Sequence, residues 1–195
     1  MNERTGTHGL AALAMALALS TVLAQAATGA EPAPAPMTAQ HPTGCGAYDI
    51  EIAAELKLLD EPGIEVKASA SPPEDGPLLE VARTYRVALV AQPEARLLVT
   101  PRRHVLEEGA FAGMVVFKVP QDGTWRVSAS RETWIEVAGP EGALKSSRFQ
   151  GREGCPQMRK FVEFPLSAGQ PYTLQLSGGV DPEMKVLVTG PVAAP

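Results

Sequence analysis

The sequence predicts a mainly β protein, an antiparallel β-sandwich of jelly-roll-like form with about nine strands and one short N-terminal helix. Three observations support this prediction. The 195 residues include 18 glycines and 18 prolines, which interrupt long helices and favour short strands joined by turns. From Ile64 onward, apolar and polar residues alternate with a period of two. Turn signals separate these stretches at intervals of about 8–12 residues, which is typical of sandwiches and barrels.

Residues 1–26 have the features of a cleaved signal peptide. Arg4 lies in a short polar start, an uncharged apolar run follows over residues 10–23, and Ala-Gln-Ala at 24–26 is a small-residue cleavage site. The apolar run is too short to span a bilayer comfortably. We therefore predict cleavage after Ala26, no transmembrane segment after cleavage, and a periplasmic or secreted location.

The region after the predicted cleavage site is rich in alternating proline and alanine. This composition favours extended, solvated backbone that has nothing to pack against. We predict a disordered leader over residues 27–43, a single domain over 44–190 and a short tail over 191–195. A domain of that length can bury a substantial hydrophobic core.

The first element of the domain is predicted to be a helix over residues 47–59. Apolar residues recur at i, i+4 and i+7 from Ile52, which places them on one helical face. Asp49 is suitably placed to cap the N-terminus of this helix. A strand over residues 48–53 is the alternative, because apolar and acidic residues also alternate there.

The remaining elements are predicted to be strands. They are segments in which apolar residues alternate with polar ones or form a continuous apolar run. Asp122-Gly123 is a hairpin-type turn between two of them. In chain order, the predicted strands are 64–68, 83–90, 96–100, 114–119, 125–130, 133–138, 143–148, 158–166, 172–177 and 184–188.

The predicted export determines how the two cysteines, Cys45 and Cys155, are interpreted. In an oxidising compartment we expect them to form an intramolecular disulfide that ties the start of the domain to its C-terminal third. The loop-entropy model assigns about 4–5 kcal/mol to closing so long a loop. Two free thiols and an intermolecular bridge are the alternatives.

The charge balance bears on the partners of the protein. With 17 Lys and Arg against 22 Asp and Glu, the formal net charge is −5. A mildly acidic protein has no electrostatic reason to bind nucleic acid or anionic lipid. We expect the partner to be an envelope protein, a glycan or a small anion.

Four cationic side chains near Cys155 form a candidate site for an anion or a protein partner. Arginine can hold a carboxylate, sulfate or phosphate through two parallel hydrogen bonds. A loop held by a disulfide also loses less entropy when it binds. The alternative is that these side chains pair with Glu153 and Glu163 or face water. The four residues are Arg148, Arg152, Arg159 and Lys160.

Two aromatic residues, Trp134 and Phe161, are candidates for a platform on which a sugar ring would stack. Each is out of phase with the apolar residues of its own predicted strand, so each could face solvent. Packing against the sheet is the alternative. Trp125, in contrast, shares the phase of Val127 and is predicted to lie in the core.

The motifs of common catalytic sites are missing from the sequence. It contains no G-x-S-x-G elbow and no glycine-rich nucleotide-binding motif. His104 is the only candidate for an ordered general base, and both cysteines are expected to be oxidised. We therefore predict no catalytic residue, no metal and no cofactor.

Two parts of the chain resemble a family of small exported bacterial proteins, proteobacterial in origin and of unknown function. The resemblance is carried by CGAYDIEIAAELKLL near the start and by TWRVSAS, WIEV, RFQGREGCPQMRKFVEF and YTLQLSGG within residues 111–179. The back half is also similar to bacterial pre-peptidase C-terminal domains, which are small β-sandwiches. Both resemblances imply an exported β-sandwich.

Members of the exported family are sometimes named after homogentisate 1,2-dioxygenase. That name implies a mononuclear iron held by two histidines and a carboxylate. After Ala26 the chain has only His41 and His104, and His41 lies in the predicted leader. We therefore predict a non-catalytic exported binding or accessory protein of the bacterial envelope, with an iron-dependent dioxygenase as the alternative.

Overall fold

The computed structural model describes residues 43–72, 76–101 and 109–193. The predicted signal peptide, nearly all of the predicted leader, His41 and His104 lie outside the described residues. Within them the protein is mainly β, with twelve strands in two curled mixed sheets, one α-helix and 3-10 turns. The predicted mainly β fold with one short N-terminal helix is confirmed. The strands outnumber the prediction because several are only two residues long.

The secondary structure begins with a 3-10 turn at Gly44–Ala47 and helix α1 at Ala53–Leu59, and a second 3-10 turn lies at Gln92–Glu94. The strands are β1 Ile64–Lys67, β2 Leu78–Leu79, β3 Thr84–Ala88, β4 Val90–Ala91, β5 Phe111–Lys118, β6 Gly123–Ala129, β7 Trp134–Gly139, β8 Gly142–Ala143, β9 Arg148–Gly151, β10 Lys160–Leu166, β11 Pro171–Gly179 and β12 Glu183–Val192.

The two sheets have different strand orders. The first sheet runs β1-β3-β12-β6-β10-β9, and the second runs β2-β5-β11-β7-β8 with β4 also paired to β5. The central pairs are antiparallel, whereas β1–β3 and β2–β5 are parallel. The chain leaves the first sheet after β1 to form β2 and then returns for β3. No hairpin therefore joins the parallel partners, and they are free to run in the same direction.

The main hydrophobic core lies between the sheets. Alternate residues of each strand point into it, so the period of two in the sequence becomes one buried face on each sheet. Trp125 lies in this core with 1% of its surface exposed, as predicted. Its indole N–H donates a hydrogen bond to the Gln121 carbonyl at 3.2 Å, so the buried ring has a polar partner.

A second cluster of buried residues covers the outer face of the first sheet. Residues 44–62, which we call the N-terminal cover, place Tyr48, Ile52 and Leu59 against Phe161 and Leu187 of that sheet. Both faces of the first sheet are therefore buried here.

Among the described residues, no helix has the length and apolar character that a membrane crossing requires.

The predicted disulfide is confirmed. Cys45 and Cys155 are bonded at an S–S distance of 2.03 Å, with their Cα atoms 4.4 Å apart. The bond joins the first turn of the N-terminal cover to the loop between β9 and β10. It therefore fastens the N-terminal cover to the sheet beneath it.

Helix α1 is shorter than the predicted 47–59, and the alternative strand over 48–53 does not form either. The helix starts at Ala53, whose backbone N–H donates to the Glu51 side chain at 2.7 Å. Asp49, the predicted cap, instead accepts a hydrogen bond from Gln150 of β9. Asp49 therefore contacts the sheet, and Glu51 takes over the local hydrogen bond at the start of the helix.

Three predicted strands are wrong in detail. The predicted strand over 83–90 is divided between β3 of the first sheet and β4, which pairs with β5 of the second. Residues 96–100 form no strand, because the Gln175 side chain satisfies both the N–H and the C=O of Val99, at 2.9 and 2.7 Å. The predicted strand over 143–148 is split between β8 and β9. Residues 144–147 carry the chain from the second sheet to the first, so a continuous strand cannot form there.

Candidate functional site

Two of the predicted cationic residues hold the N-terminal cover in place. Arg148 pairs with Asp49 at 3.3 Å. Arg152 donates from Nε to the Ala47 carbonyl at 2.7 Å, and its guanidinium lies 5.6 Å from the centre of the Tyr48 ring. Both arginines therefore satisfy groups of this chain.

Arg159, the third cationic residue, lies between two carboxylates. Its Nη2 atom is 2.6 Å from Glu132 and 3.5 Å from Glu153. Glu153 was one expected partner of the cluster, and Glu163 was the other. Glu163 instead binds Arg126 beneath the N-terminal cover. Each of the three arginines therefore already has an internal partner, with which an external anion would compete.

Lys160 differs from the arginines because its charge has no close carboxylate partner within the described residues. Its Nζ donates to the Thr133 carbonyl at 3.2 Å and lies 4.8 Å from the centre of the Trp134 ring. Burial lowers the pKa of Lys160; nearby Glu132 raises it, and Arg159 lowers it further. Lys160 is therefore a half-buried ammonium group held by neutral contacts.

The prediction that Phe161 forms an exposed platform is wrong. Its side chain is fully buried, at 0% exposure. The ring lies 5.6 Å from the Tyr48 ring and 4.9 Å from the Arg126 guanidinium. The alternating pattern correctly assigned Phe161 to the outer face of the sheet, but it did not reveal that the N-terminal cover buries that face.

Trp134, the other candidate for a platform, lies at a groove between the second sheet and the edge of the first. This edge groove has a volume of about 200 Å³. Its walls come from β7, residues 144–147, β9 and β10, and most of the side chains are apolar. The lining residues are Trp134, Ile135, Glu136, Leu144, Ser146, Phe149, Lys160, Val162 and Phe164.

Phe149 is the exposed residue of the edge groove, and sequence reasoning did not single it out. It is 68% exposed, the highest value among the exposed large apolar residues that the structure describes. It stands between Arg148 and Gln150 in a polar segment. That isolation was the available signal, because an aromatic residue in an otherwise polar edge strand has no alternating partners to bury it.

A buried ion cluster lies under the N-terminal cover. Arg126 donates from Nε and Nη2 to one oxygen of Glu163, at 3.0 and 2.8 Å, and from Nη1 to Glu55 of helix α1. Thr189 donates to the same Glu55 oxygen at 3.2 Å. The other oxygen of Glu163 has no hydrogen-bond partner among the described residues. The cluster joins helix to sheet, and apart from that one oxygen its charged groups are paired with each other.

The described residues bring no metal site together. Within 43–72, 76–101 and 109–193, no group of three His, Cys, Asp or Glu side chains is placed to hold a metal ion. No protein-family model matches the chain, and no curated protein is significantly similar to it. The resemblance to the exported family therefore stays a prediction.

Proposed function

We propose that this chain is an exported, non-catalytic binding protein of the bacterial envelope whose edge groove receives an apolar side chain of a partner protein. Phe149 is the observation that carries the proposal, because it is 68% exposed at the rim of an apolar groove. Aromatic surface left in water costs hydrophobic free energy that a partner can recover. Aromatic residues are also enriched at the centres of protein interfaces.

Two features support export. Residues 1–26 have the sequence features of a signal peptide. The Cys45–Cys155 disulfide is of the kind that persists in oxidising compartments. Together they favour a periplasmic or secreted protein.

The chemistry of the edge groove favours a protein over a glycan or a small anion. Lys160 lies over the Trp134 ring, so part of the surface on which a sugar would stack is already covered. Leu144 and Phe149 add apolar walls, whereas sugar sites need many hydrogen-bonding groups. A small anion would find three of the four predicted cations already paired.

The proposal is tested by selecting peptides of about 12 residues from a random phage-displayed library on the mature protein. Phe149→Ser should weaken the selected peptides by about tenfold or more, because it removes the aromatic anchor. Trp134→Ala should also weaken them. Val180→Ser is the matched control, since Val180 is 58% exposed in the turn between β11 and β12, away from the groove lining.

Equal affinity of the selected peptides for the wild type and for Phe149→Ser would show that the edge groove is not the binding site. A mature protein that selects no peptide but retains a glycan, with retention lost in Trp134→Ala, would identify a sugar site instead. Either result contradicts the proposal.

A further inference from the structure

We infer that the partner segment binds as an additional β-strand alongside β9, with a carboxylate directed at Lys160 and alternate apolar side chains over the edge groove. This inference rests on the proposed function and specifies the conformation and the charge of the ligand. Three observations support it: the unpaired backbone groups of β9, the face of the sheet on which the β9 side chains lie, and the lack of a close carboxylate partner for Lys160 in the described residues.

Among the strands that the structure describes, β9 has a neighbour on one side only. β9 is the last strand of the first sheet, and β10 is its neighbour on the inner side. The Arg152 N–H donates to the Arg159 carbonyl at 2.9 Å, in register with the β9–β10 pairs. Alternate residues of an antiparallel strand direct their N–H and C=O groups to the same neighbour. Gln150 therefore points to β10, while Phe149 and Gly151 point away from it.

The outward groups of β9 are accessible. Phe149 and Gly151 are both exposed, and no described strand lies beyond them to accept their hydrogen bonds. The Gly151 carbonyl accepts a hydrogen bond from the Arg152 side chain at 2.9 Å. The backbone groups that an added strand can pair with are therefore the N–H of Gly151 and the N–H and C=O of Phe149. Unpaired groups of this kind form a template for another extended chain.

The side chains of β9 that face the edge groove determine which side chains of an added strand would also face it. Phe149 is the register partner of Val162, and both residues line the edge groove. Side chains directly opposite each other on paired strands share a face of the sheet. Every second side chain of a strand added to β9 would therefore lie on the groove side. This arrangement predicts apolar residues at positions i and i+2 of the ligand.

Lys160 supplies the charge that selects the ligand. Its direct contacts, the Thr133 carbonyl and the Trp134 ring, are neutral. The nearby carboxylate of Glu132 acts on Lys160 from a distance and is itself bound to Arg159 at 2.6 Å. Glu136 also lines the groove, but its carboxylate accepts a hydrogen bond from Gln175 at 3.0 Å. A half-buried ammonium group with neutral contacts gains most from an approaching carboxylate. The ligand therefore carries an acidic residue beside its apolar ones.

The other exposed edges are less suited to strand addition. The opposite edge of the first sheet is β1, which carries Glu65 and Lys67, and Glu65 is paired with Arg86. Charged side chains on an edge strand discourage pairing with another chain. β1 has two of them in four residues, whereas β9 has one, Arg148, which is paired with Asp49. The far edge of the second sheet is β8, which is only two residues long. β2, at the other end of the second sheet, is also only two residues long. Among the edge strands that the structure describes, β9 is therefore the one that combines four residues of edge backbone with a neighbouring apolar groove.

The experiment uses the tightest peptide selected through Phe149, with its backbone nitrogens methylated one at a time. Strand pairing predicts losses of about tenfold or more at alternate positions and little change at the positions between. In parallel, NMR should show that saturating peptide slows hydrogen exchange of the Phe149 amide by about tenfold or more, because that amide becomes hydrogen-bonded.

Failure of this inference is distinguishable from failure of the proposed function. If no peptide depends on Phe149, the proposed function fails. If peptides depend on Phe149 but methylation shows no alternation and the Phe149 amide exchanges at its free rate, only strand addition is wrong. An amide already protected without peptide, with a dimer in sedimentation, would show that a second copy of this chain takes the edge and would also overturn the inference.

The predicted interaction between Lys160 and a carboxylate of the peptide is tested by a double-mutant cycle. Lys160→Gln should weaken the acidic peptide by about fivefold or more and leave its amide analogue, with Asp or Glu replaced by Asn or Gln, nearly unchanged. Lys118→Gln, at the exposed end of β5, is the matched control and should show no coupling. Equal effects of Lys160→Gln on both peptides would contradict a carboxylate at Lys160.

Discussion

Arg126 shows why the chemistry of single residues in this protein was hard to read from sequence. It alternates with the core residues Trp125 and Val127, so its strand pattern indicates an outward, solvated side chain. It does point outward from the core, yet it is only 5% exposed, since the N-terminal cover lies over it. Periodicity predicts the face on which a residue lies, but it cannot predict what a distant segment places on that face.

Removing the Arg126 charge should destabilise the fold. Arg126→Met leaves Glu55 and Glu163 buried without their common cation, and breaking a buried pair in this way costs about 3–5 kcal/mol. The free energy of unfolding in urea measures the loss. Arg131→Met is the control, because its pair with Asp181 is 52% and 47% exposed and should be worth about 1 kcal/mol or less. Similar small losses for both variants would contradict a stabilising role for the cluster.

Tyr48 should make stability depend on alkaline pH. Burial raises the pKa of the Tyr48 phenol to about 12, against the lowering effect of Arg152 and Arg159. An unfolded tyrosine ionises near pH 10. The folded state therefore favours the neutral phenol, and this contribution is fully present below about pH 10 and is lost as the pH rises towards 12.

Absorbance titration at the tyrosinate band checks the Tyr48 prediction. The difference between the wild type and Tyr48→Phe should be a single ionisation near pH 12, measured on folded protein. Urea unfolding should also show that the wild type loses more stability than the variant between about pH 10 and 12. A difference curve centred near pH 10 would mean that the Tyr48 hydroxyl is not buried against the Met158 carbonyl.

Among the elements, strands were more predictable than the segments that connect and cover them. The central strands β5, β6, β7, β10, β11 and β12 each correspond to a predicted alternating or apolar run. Their alternation reflects burial against the opposite sheet, which is a local consequence of strand geometry. The irregular path of residues 96–100 and the position of β9 depend on contacts made by residues far away in sequence. The local alternation of apolar and polar residues cannot predict those contacts.

The N-terminal cover should depend on its disulfide. In the double variant Cys45→Ala and Cys155→Ala, we expect the free energy of unfolding to fall by about 2–5 kcal/mol, because the unfolded chain regains the entropy that the bond removed. Urea unfolding measures the change. The wild type with excess reductant should reproduce the value of the variant. An unchanged unfolding midpoint in both would show that the bond does not stabilise the cover.

At the scale of the whole molecule, the sequence was sufficient for the two-sheet architecture and for the Cys45–Cys155 pairing. The binding surface was harder to predict, because the edge groove combines residues from β7, β9, β10 and the 144–147 crossing. Trp134 and Lys160 had been singled out for separate reasons, and only the fold brings them together with Phe149. The same fold pairs the arginines with internal partners.

The most direct test of the edge groove as the binding surface is an NMR titration of the mature protein with the tightest selected peptide. The account predicts that the largest shift changes occur at the Trp134 indole N–H, at Phe149 and at Lys160. Shift changes centred instead on the separate pocket lined by Arg86, Arg131 and Lys185, with the groove signals unmoved, would contradict it.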